Sequence, residues 1–218
     1  SYQFLSAGSA DVLFDPRPRP RLPESVRSLH FGSLALLRDP AAAAILDIVR
    51  AFRGGVVMLD PNVRPSQIAD RKRYLQALSE WVELSDVVKL SDEDLAWLGG
   101  SEEEWTSEWL AGRPVAVIIS AGEKGVRAYL EDGERLQVPA APVPRLVDTV
   151  GAGDSFSGAL HARFAGLGRL PQGADEWRSA LRFAAAAAAL TCGRAGADPP
   201  WRHELARLGP HILGRDVS

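Results

Sequence analysis

The sequence predicts an α/β protein, and three observations carry that expectation. Short continuous apolar runs, Val56-Val57-Met58-Leu59 and Val115 to Ile119 among them, are bounded by turn residues, as parallel strands buried on both faces require. Helical patterns with start and stop signals separate these runs. A glycine-rich turn, Gly151-Ala152-Gly153, stands between apolar Leu146-Val147 and a helical pattern through Phe156, Ala159, Leu160 and Phe164. Alternating strands and helices place helices on both faces of a mostly parallel sheet.

Composition bounds the rest. The 218 residues are 46% hydrophobic and 24% charged, ordinary for a globular chain. A net charge of −3 argues against a nucleic-acid partner, which selects a basic surface. The single cysteine, Cys192, rules out an internal disulfide and suits a reducing compartment, so a cytoplasmic location is expected. No run of about 18 apolar residues exists, so no membrane span is expected. The first residues, Ser1-Tyr2-Gln3-Phe4, are unlike a signal peptide, and without an initiator Met the chain is expected to start inside a longer protein.

In chain order, residues 1–15 suggest two short extended pieces, and Pro16 to Pro23 an extended connector of alternating Pro and Arg. Val26 to Phe31 reads as a strand. Asp39-Pro40 looks like an N-cap followed by proline at the first helical position, and Gly54-Gly55 ends that helix. After Val56 to Leu59, a helix is expected over about Gln67 to Leu84, then a strand at Val87 to Leu90. Ser91 and Asp94 form a capping-box pattern with Asp in place of Glu, and Ser101 and Glu104 form a second. Val115 to Ile119 and Val126 to Leu130 are strands. Asp132-Gly133 turns the second back into Leu136 to Val138, a small antiparallel ribbon. Leu146-Val147 is expected to be a strand leading into the glycine turn. Helices follow to about Leu167, over Asp175 to Cys192, and from Pro200 to Leu208. Asp60, Ser91, Ser120 and Asp148 then all fall at strand ends, where ligands of open α/β sheets bind.

The chemistry centres on Asp148-Thr149-Val150-Gly151-Ala152-Gly153-Asp154-Ser155-Phe156. A helix N-terminus offers unpaired amides and the positive end of the macrodipole, and glycine lets backbone approach an anion closely. The residues alone read either as an ordinary βα turn with an acid in its first helical turn, or as an anion site with Asp154 as a base. Asp60-Pro61-Asn62-Val63-Arg64-Pro65 reads either as a polar loop shaped by its prolines or as a contact set for anions. Ser91 to Asp94 reads first as helix capping. Ser120 to Gly125 reads first as a hairpin turn, and Ala184 and Ala188 as helix-packing residues. His30, His161, His203 and His211 have no metal-ligand spacing with one another or with Cys192.

The string from Asp148 to Phe156 resembles the C-terminal signature of the ribokinase-like (PfkB) carbohydrate kinases. Asp60 to Arg64 resembles the D-P-N-x-R segment of their fructokinase-like and 2-keto-3-deoxygluconate-kinase-like members. The likeness runs from about Phe4 to Ala197. It implies a ribokinase-like three-layer α/β sandwich, with residues 1–24 as lid remnant and connector and 25–218 as the nucleotide- and phosphate-binding core. It implies ATP-dependent phosphorylation of a primary sugar hydroxyl, fructose or a keto-sugar acid, with a nucleoside kinase or a non-catalytic nucleotide-binding remnant as alternatives.

By the same resemblance Asp154 is the catalytic base, and the amides of Gly151, Ala152 and Gly153 are the anion hole. Arg64 steadies charge during transfer, and Asp60 and Asn62, with Asp154, contact the sugar. Ser120, Gly122, Gly125, Ala184, Ala188 and Gly196 line the nucleotide. Asp94 stands where the family's magnesium-organising Glu is usual, with Ser91 for Asn, and its shorter side chain implies a water-mediated Mg2+ contact. Asp148 implies a monovalent-cation site, with K+ the candidate ion. The partners implied are sugar and ATP, with a homodimer through the lid in the full-length protein. The family's first strand and most of its lid have no counterpart here, so weak or no sugar phosphorylation is expected of the 218 residues alone.

Overall fold

The computed structural model describes residues 20–143 and 145–208. The readings for residues 1–15, and most of the lid and connector expectation for 1–24, lie outside the described residues. The chain divides into two compact units, Ser1–Val115 and Ala116–Ser218.

The described part of the first unit is built on three parallel strands. β1 (Ser28–Gly32) pairs with β2 (Val56–Asp60), with His30 opposite Met58 and Gly32 opposite Asp60. β2 pairs with β3 (Val87–Ser91). β2 is buried along its whole length, and Val87, Val88 and Leu90 have no exposed surface, which explains why these runs are continuous rather than alternating. Four helices accompany the strands: α1 (Ala41–Ala51), α2 (Arg71–Glu83), α3 (Asp92–Leu98) and α4 (Glu102–Leu110). α2 buries Tyr74, Leu78, Trp81 and Val82, a stripe at helical spacing.

Both capping boxes form as read. Ser91 Oγ accepts from Asp94 N at 3.0 Å and Ser101 Oγ from Glu104 N at 3.1 Å, with the acids returning the bond. Two helix starts differ. α1 begins one residue later than the Asp39 cap implies, with Pro40 at the N-cap and no side-chain bond; the carbonyl of Arg38 takes the Ala42 amide instead. The helix expected from Gln67 is a 3-10 turn over Pro65–Gln67 followed by α2, because Asp70 caps α2 by accepting from Arg73 N at 3.0 Å.

The second unit opens on β4 (Ala116–Ser120), β5 (Val126–Leu130) and β6 (Arg135–Val138), paired antiparallel in sequence order. β5 alternates buried and half-buried residues, unlike β2. Three helices follow: α5 (Ala152–Leu167), α6 (Gly173–Cys192) and the short α7 (Arg202–Leu205). Where α5 packs on α6, Phe156, Leu160 and Phe164 of the first and Trp177, Ala180, Leu181 and Ala184 to Ala187 of the second are buried. The rings of Phe164 and Trp177 meet edge to face at 6.0 Å.

Two readings of this unit are corrected. Leu146-Val147 is not a strand: the amides of Val147 and Asp148 both donate to Cys192 O, at 2.9 and 3.3 Å, so the segment is tied to the end of α6. Leu146 and Val147 are 65% and 48% exposed, against the burial a lead-in strand would need. The last helix is four residues long, because 3-10-type bonds from Arg207 N to Glu204 O and Leu208 N to Leu205 O replace the α pattern beyond it. Among the described residues, no helix is long and apolar enough to cross a membrane.

Candidate active site

In the second unit the site is assembled at the N-terminus of α5. Gly151 is the N-cap, held at φ +78°, and a Cβ on it would lie 2.7 Å from Ala197 Cβ. Only glycine combines that conformation with that approach. The amide of Ala152 donates to Thr149 O and that of Ser155 to Gly151 O. The intervening first-turn amides, of Gly153 and Asp154, are the helix's open donors. Asp154 is exposed beside them in the first turn. Below it Ser155 is buried and its hydroxyl accepts from Thr191 Oγ1 of α6 at 2.7 Å, which anchors the helix start to its neighbour.

Asp148 draws two loops together. Its Oδ1 accepts from Val150 N and its Oδ2 from Gly196 N, both at 3.0 Å. The Val150 amide first, then that of Gly196, holds its carboxyl below the usual range, because both bonds favour the charged form. The neighbouring Cys192 thiol is pushed up, by burial first and then by the Asp148 charge. The resemblance assigns Asp148 to a cation site and Gly196 to the nucleotide, and the fold joins the two directly. Ala184 is fully buried and Ala188 half-buried on α6. Ser120 ends β4, and the turn after it is closed by Ala121 N donating to Gly125 O at 2.8 Å. Gly125, at φ +87°, runs against the backbone of β6, where a Cβ would meet Val138 O at 2.2 Å; Gly122 is exposed.

In the first unit the candidates gather at the C-terminal ends of β2 and β3. Asp60 ends β2, buried, and its Oδ2 accepts from Lys89 Nζ of β3 at 2.8 Å. Asp94 is 5% exposed. Its Oδ1 accepts from Val63 N at 2.7 Å and its Oδ2 from Ser91 N at 2.9 Å, so one carboxylate fixes the Asp60–Arg64 loop to the start of α3. Asn62 sits at φ +41°, an uncommon conformation for a residue with a side chain, and Ser33, at φ +57°, donates to its carbonyl at 3.5 Å. The half-buried Arg64 donates to the carbonyls of Asn62 and Val63, at 3.3 and 3.1 Å.

Sequence reasoning missed Lys89 as a partner of Asp60. Its signal was present: a lysine inside an otherwise apolar strand is buried only when paired. Tyr74, whose hydroxyl is buried without a partner and whose ring packs on Trp97 of α3, carried no signal, being one more aromatic residue on a buried helix face. Among the described residues, no three His, Cys, Asp or Glu side chains gather as a ready-made metal site. Magnesium asks for less, taking one or two carboxylates plus waters and phosphate oxygens. Asp94, with both oxygens already engaged, fits such an ion through water and not as a direct ligand.

Comparison with known proteins identifies the family. Residues 17–204 match the model of the pfkB family carbohydrate kinases. A fructokinase of Rhizobium leguminosarum bv. trifolii is 35% identical over 167 residues, covering 74% of this chain and 50% of that protein. The chain thus spans about half the length of that relative. The crystal structure of fructokinase from Vibrio cholerae O395 in its fructose-, ADP- and calcium-bound form is 27% identical, with a TM-score of 0.72, covering 85% of this chain and 60% of that one. Aminoimidazole riboside kinase from Salmonella enterica, solved with aminoimidazole riboside and an ATP analog, is 26% identical, with a TM-score of 0.73 over 82% of this chain and 61% of that one. These solved kinases bear out the expected ribokinase-like α/β class. With the signature on a helix N-terminus and a family match over most of its length, the chain belongs to the pfkB family of carbohydrate kinases.

Proposed function

We propose that the protein to which this chain belongs transfers the γ-phosphoryl group of ATP to a primary hydroxyl of a sugar, fructose or a keto-sugar acid. The observation that carries this is Asp154, an exposed carboxylate beside the open amides of a glycine-led helix N-terminus. Asp154 takes the proton of the attacking hydroxyl. The Gly151–Gly153 segment and the α5 dipole face the charge that develops on the transferred group. Arg64 steadies that charge, while Asp60 and Asn62 orient the sugar. Ser120, Gly122, Gly125, Ala184, Ala188 and Gly196 hold the nucleotide. Asp94 would hold Mg2+ through water, where the ion would neutralise phosphate charge, and Asp148 would hold a monovalent cation such as K+. A cytoplasmic enzyme, dimeric through its lid at full length, fits this reading.

A second reading, phosphorylation of a nucleoside, is favoured by the likeness to the riboside kinase. Coupled ADP-release assays with fructose, 2-keto-3-deoxygluconate and a set of ribosides separate the two. The highest kcat/KM is expected for fructose or the keto-sugar acid. Preference for a riboside would replace the substrate. Binding of a non-hydrolysable ATP analogue without turnover of any acceptor would mark a non-catalytic nucleotide-binding protein.

A further inference from the structure

Two buried polar atoms of the first unit are left unmet by the chain itself. Asp60 Oδ2 is paired with Lys89, but Asp60 Oδ1 is enclosed and has no hydrogen-bond partner. The Tyr74 hydroxyl, on α2, is likewise enclosed and without a partner. Both residues are 5% exposed. Packing puts them in one neighbourhood: the Tyr74 ring lies 5.3 Å from that of Trp97, one turn along α3 from Asp94, and Asp94 Oδ1 holds Val63 N, three residues after Asp60. Burial first, then the charges of Asp94 and Asp60, push the Tyr74 phenol above its usual range. The phenol is thus a neutral donor beside two carboxylates. Asp94 has a backbone amide on each oxygen, which leaves Asp60 Oδ1 as the open acceptor. The Tyr74 ring is fixed edge-on to both Trp81 and Trp97, at 5.5 and 5.3 Å, so its hydroxyl is aimed rather than free to sweep. An unmet donor and an unmet acceptor in one polar enclosure are the partners that a buried water takes.

We propose that Tyr74 is a positioning residue for the Asp60–Arg64 loop, its hydroxyl joined to Asp60 Oδ1 through one bound water. Asp60 is then held from two sides, by Lys89 on β3 and by the water on α2. The strained Asn62 two residues on is set by that anchor as well as by Asp94 on Val63 N. The importance of this for catalysis rests on reading Asp60 and Asn62 as sugar-side residues; the anchor itself does not.

The test is a pair of crystal structures, of the chain and its Tyr74→Phe variant, at a resolution that shows ordered water, with sugar kinetics beside them. The chain is expected to hold a water within hydrogen-bond distance of Tyr74 Oη and Asp60 Oδ1. The variant, nearly the same in shape, is expected to lose that water and to show a shifted or less ordered 60–64 loop. In an active enzyme it raises the sugar KM several-fold and leaves the ATP KM unchanged, which a general loss of stability would not do. No water at that place, or a loop unchanged in the variant, overturns the proposal. An anchored loop in a protein without sugar kinase activity overturns the functional reading and leaves the anchor standing; an active enzyme whose Tyr74→Phe variant keeps both the 60–64 loop and the sugar KM unchanged does the reverse.

Discussion

Asp154, Gly151 and Lys89 are the three residues whose replacement tests the site most directly. Asp154→Asn keeps the shape of the helix start and removes the proposed base. In an active full-length kinase it is expected to lower kcat by at least about 100-fold, the low end for a lost general base. Calorimetry should find its ATP-analogue affinity near that of the parent; a fully active variant would remove Asp154 from the mechanism. Gly151→Ala combines a left-handed conformation with a Cβ 2.7 Å from Ala197 Cβ. A loss of about 1–3 kcal/mol in chemical denaturation is expected, together with weaker nucleotide binding. Lys89→Met leaves the buried Asp60 carboxylate without its counter-charge. Breaking such a pair costs about 3–5 kcal/mol, and Asp60→Asn in the same chain should restore part of that loss.

At the scale of elements, the starts of helices decide where functional side chains stand. The Ser91–Asp94 box gives α3 its first turn and, through Asp94 Oδ1, holds Val63 of the neighbouring loop. Ser91→Ala is expected to cost about 1 kcal/mol in urea unfolding, the usual worth of an N-cap. The turn between α5 and α6 is pinned differently. Glu176 accepts from both guanidinium nitrogens of Arg169, at 2.7 and 3.0 Å, and from Gln172 N at 2.8 Å. Arg169 first, and the Gln172 amide next, lower its carboxyl from 4.5 to about 2. A depressed carboxyl stabilises the fold above its unfolded value and loses that contribution as pH falls through the folded one. The difference in melting temperature between the parent and Glu176→Gln should therefore persist near neutrality and shrink between pH 4.5 and about 2. A difference that stays constant through this window would mean the pair contributes nothing through charge.

Over the whole molecule, the candidates sort by unit. Asp60, Asn62, Arg64 and Asp94 belong to the first, and Ser120, Gly122, Gly125, Asp148 to Asp154, Ala184, Ala188 and Gly196 to the second. If Asp60 and Asn62 serve the sugar, Asn62→Ala should raise the sugar KM several-fold and leave ATP-analogue binding unchanged. Gly151→Ala should do the opposite, and equal effects of both variants on both ligands would refute the division.

Much of this was legible in the residues. The continuous apolar runs revealed β2, β3 and β4, because a strand covered on both faces has no polar alternation to hide it. The two capping boxes marked α3 and α4, because their bonds are local. The α5 signature carried its own helix start. Contacts between distant segments were not legible. The carbonyl of Cys192 drew Leu146-Val147 away from the strand its apolarity suggested. Tyr74 looked like any other core aromatic, and Lys89 like a lone charge in an apolar strand. The sequence by itself determined the α/β class, the element order and the residue types of the candidate site, since these follow from periodicity and local hydrogen bonding. Only the tertiary structure decided that Asp60 is neutralised by Lys89, that Asp94 clamps Val63, and that Asp148 latches Gly196. Each of those partners lies some 30 to 50 residues from the other, and nothing but the folded chain brings a buried carboxylate to the donor it requires.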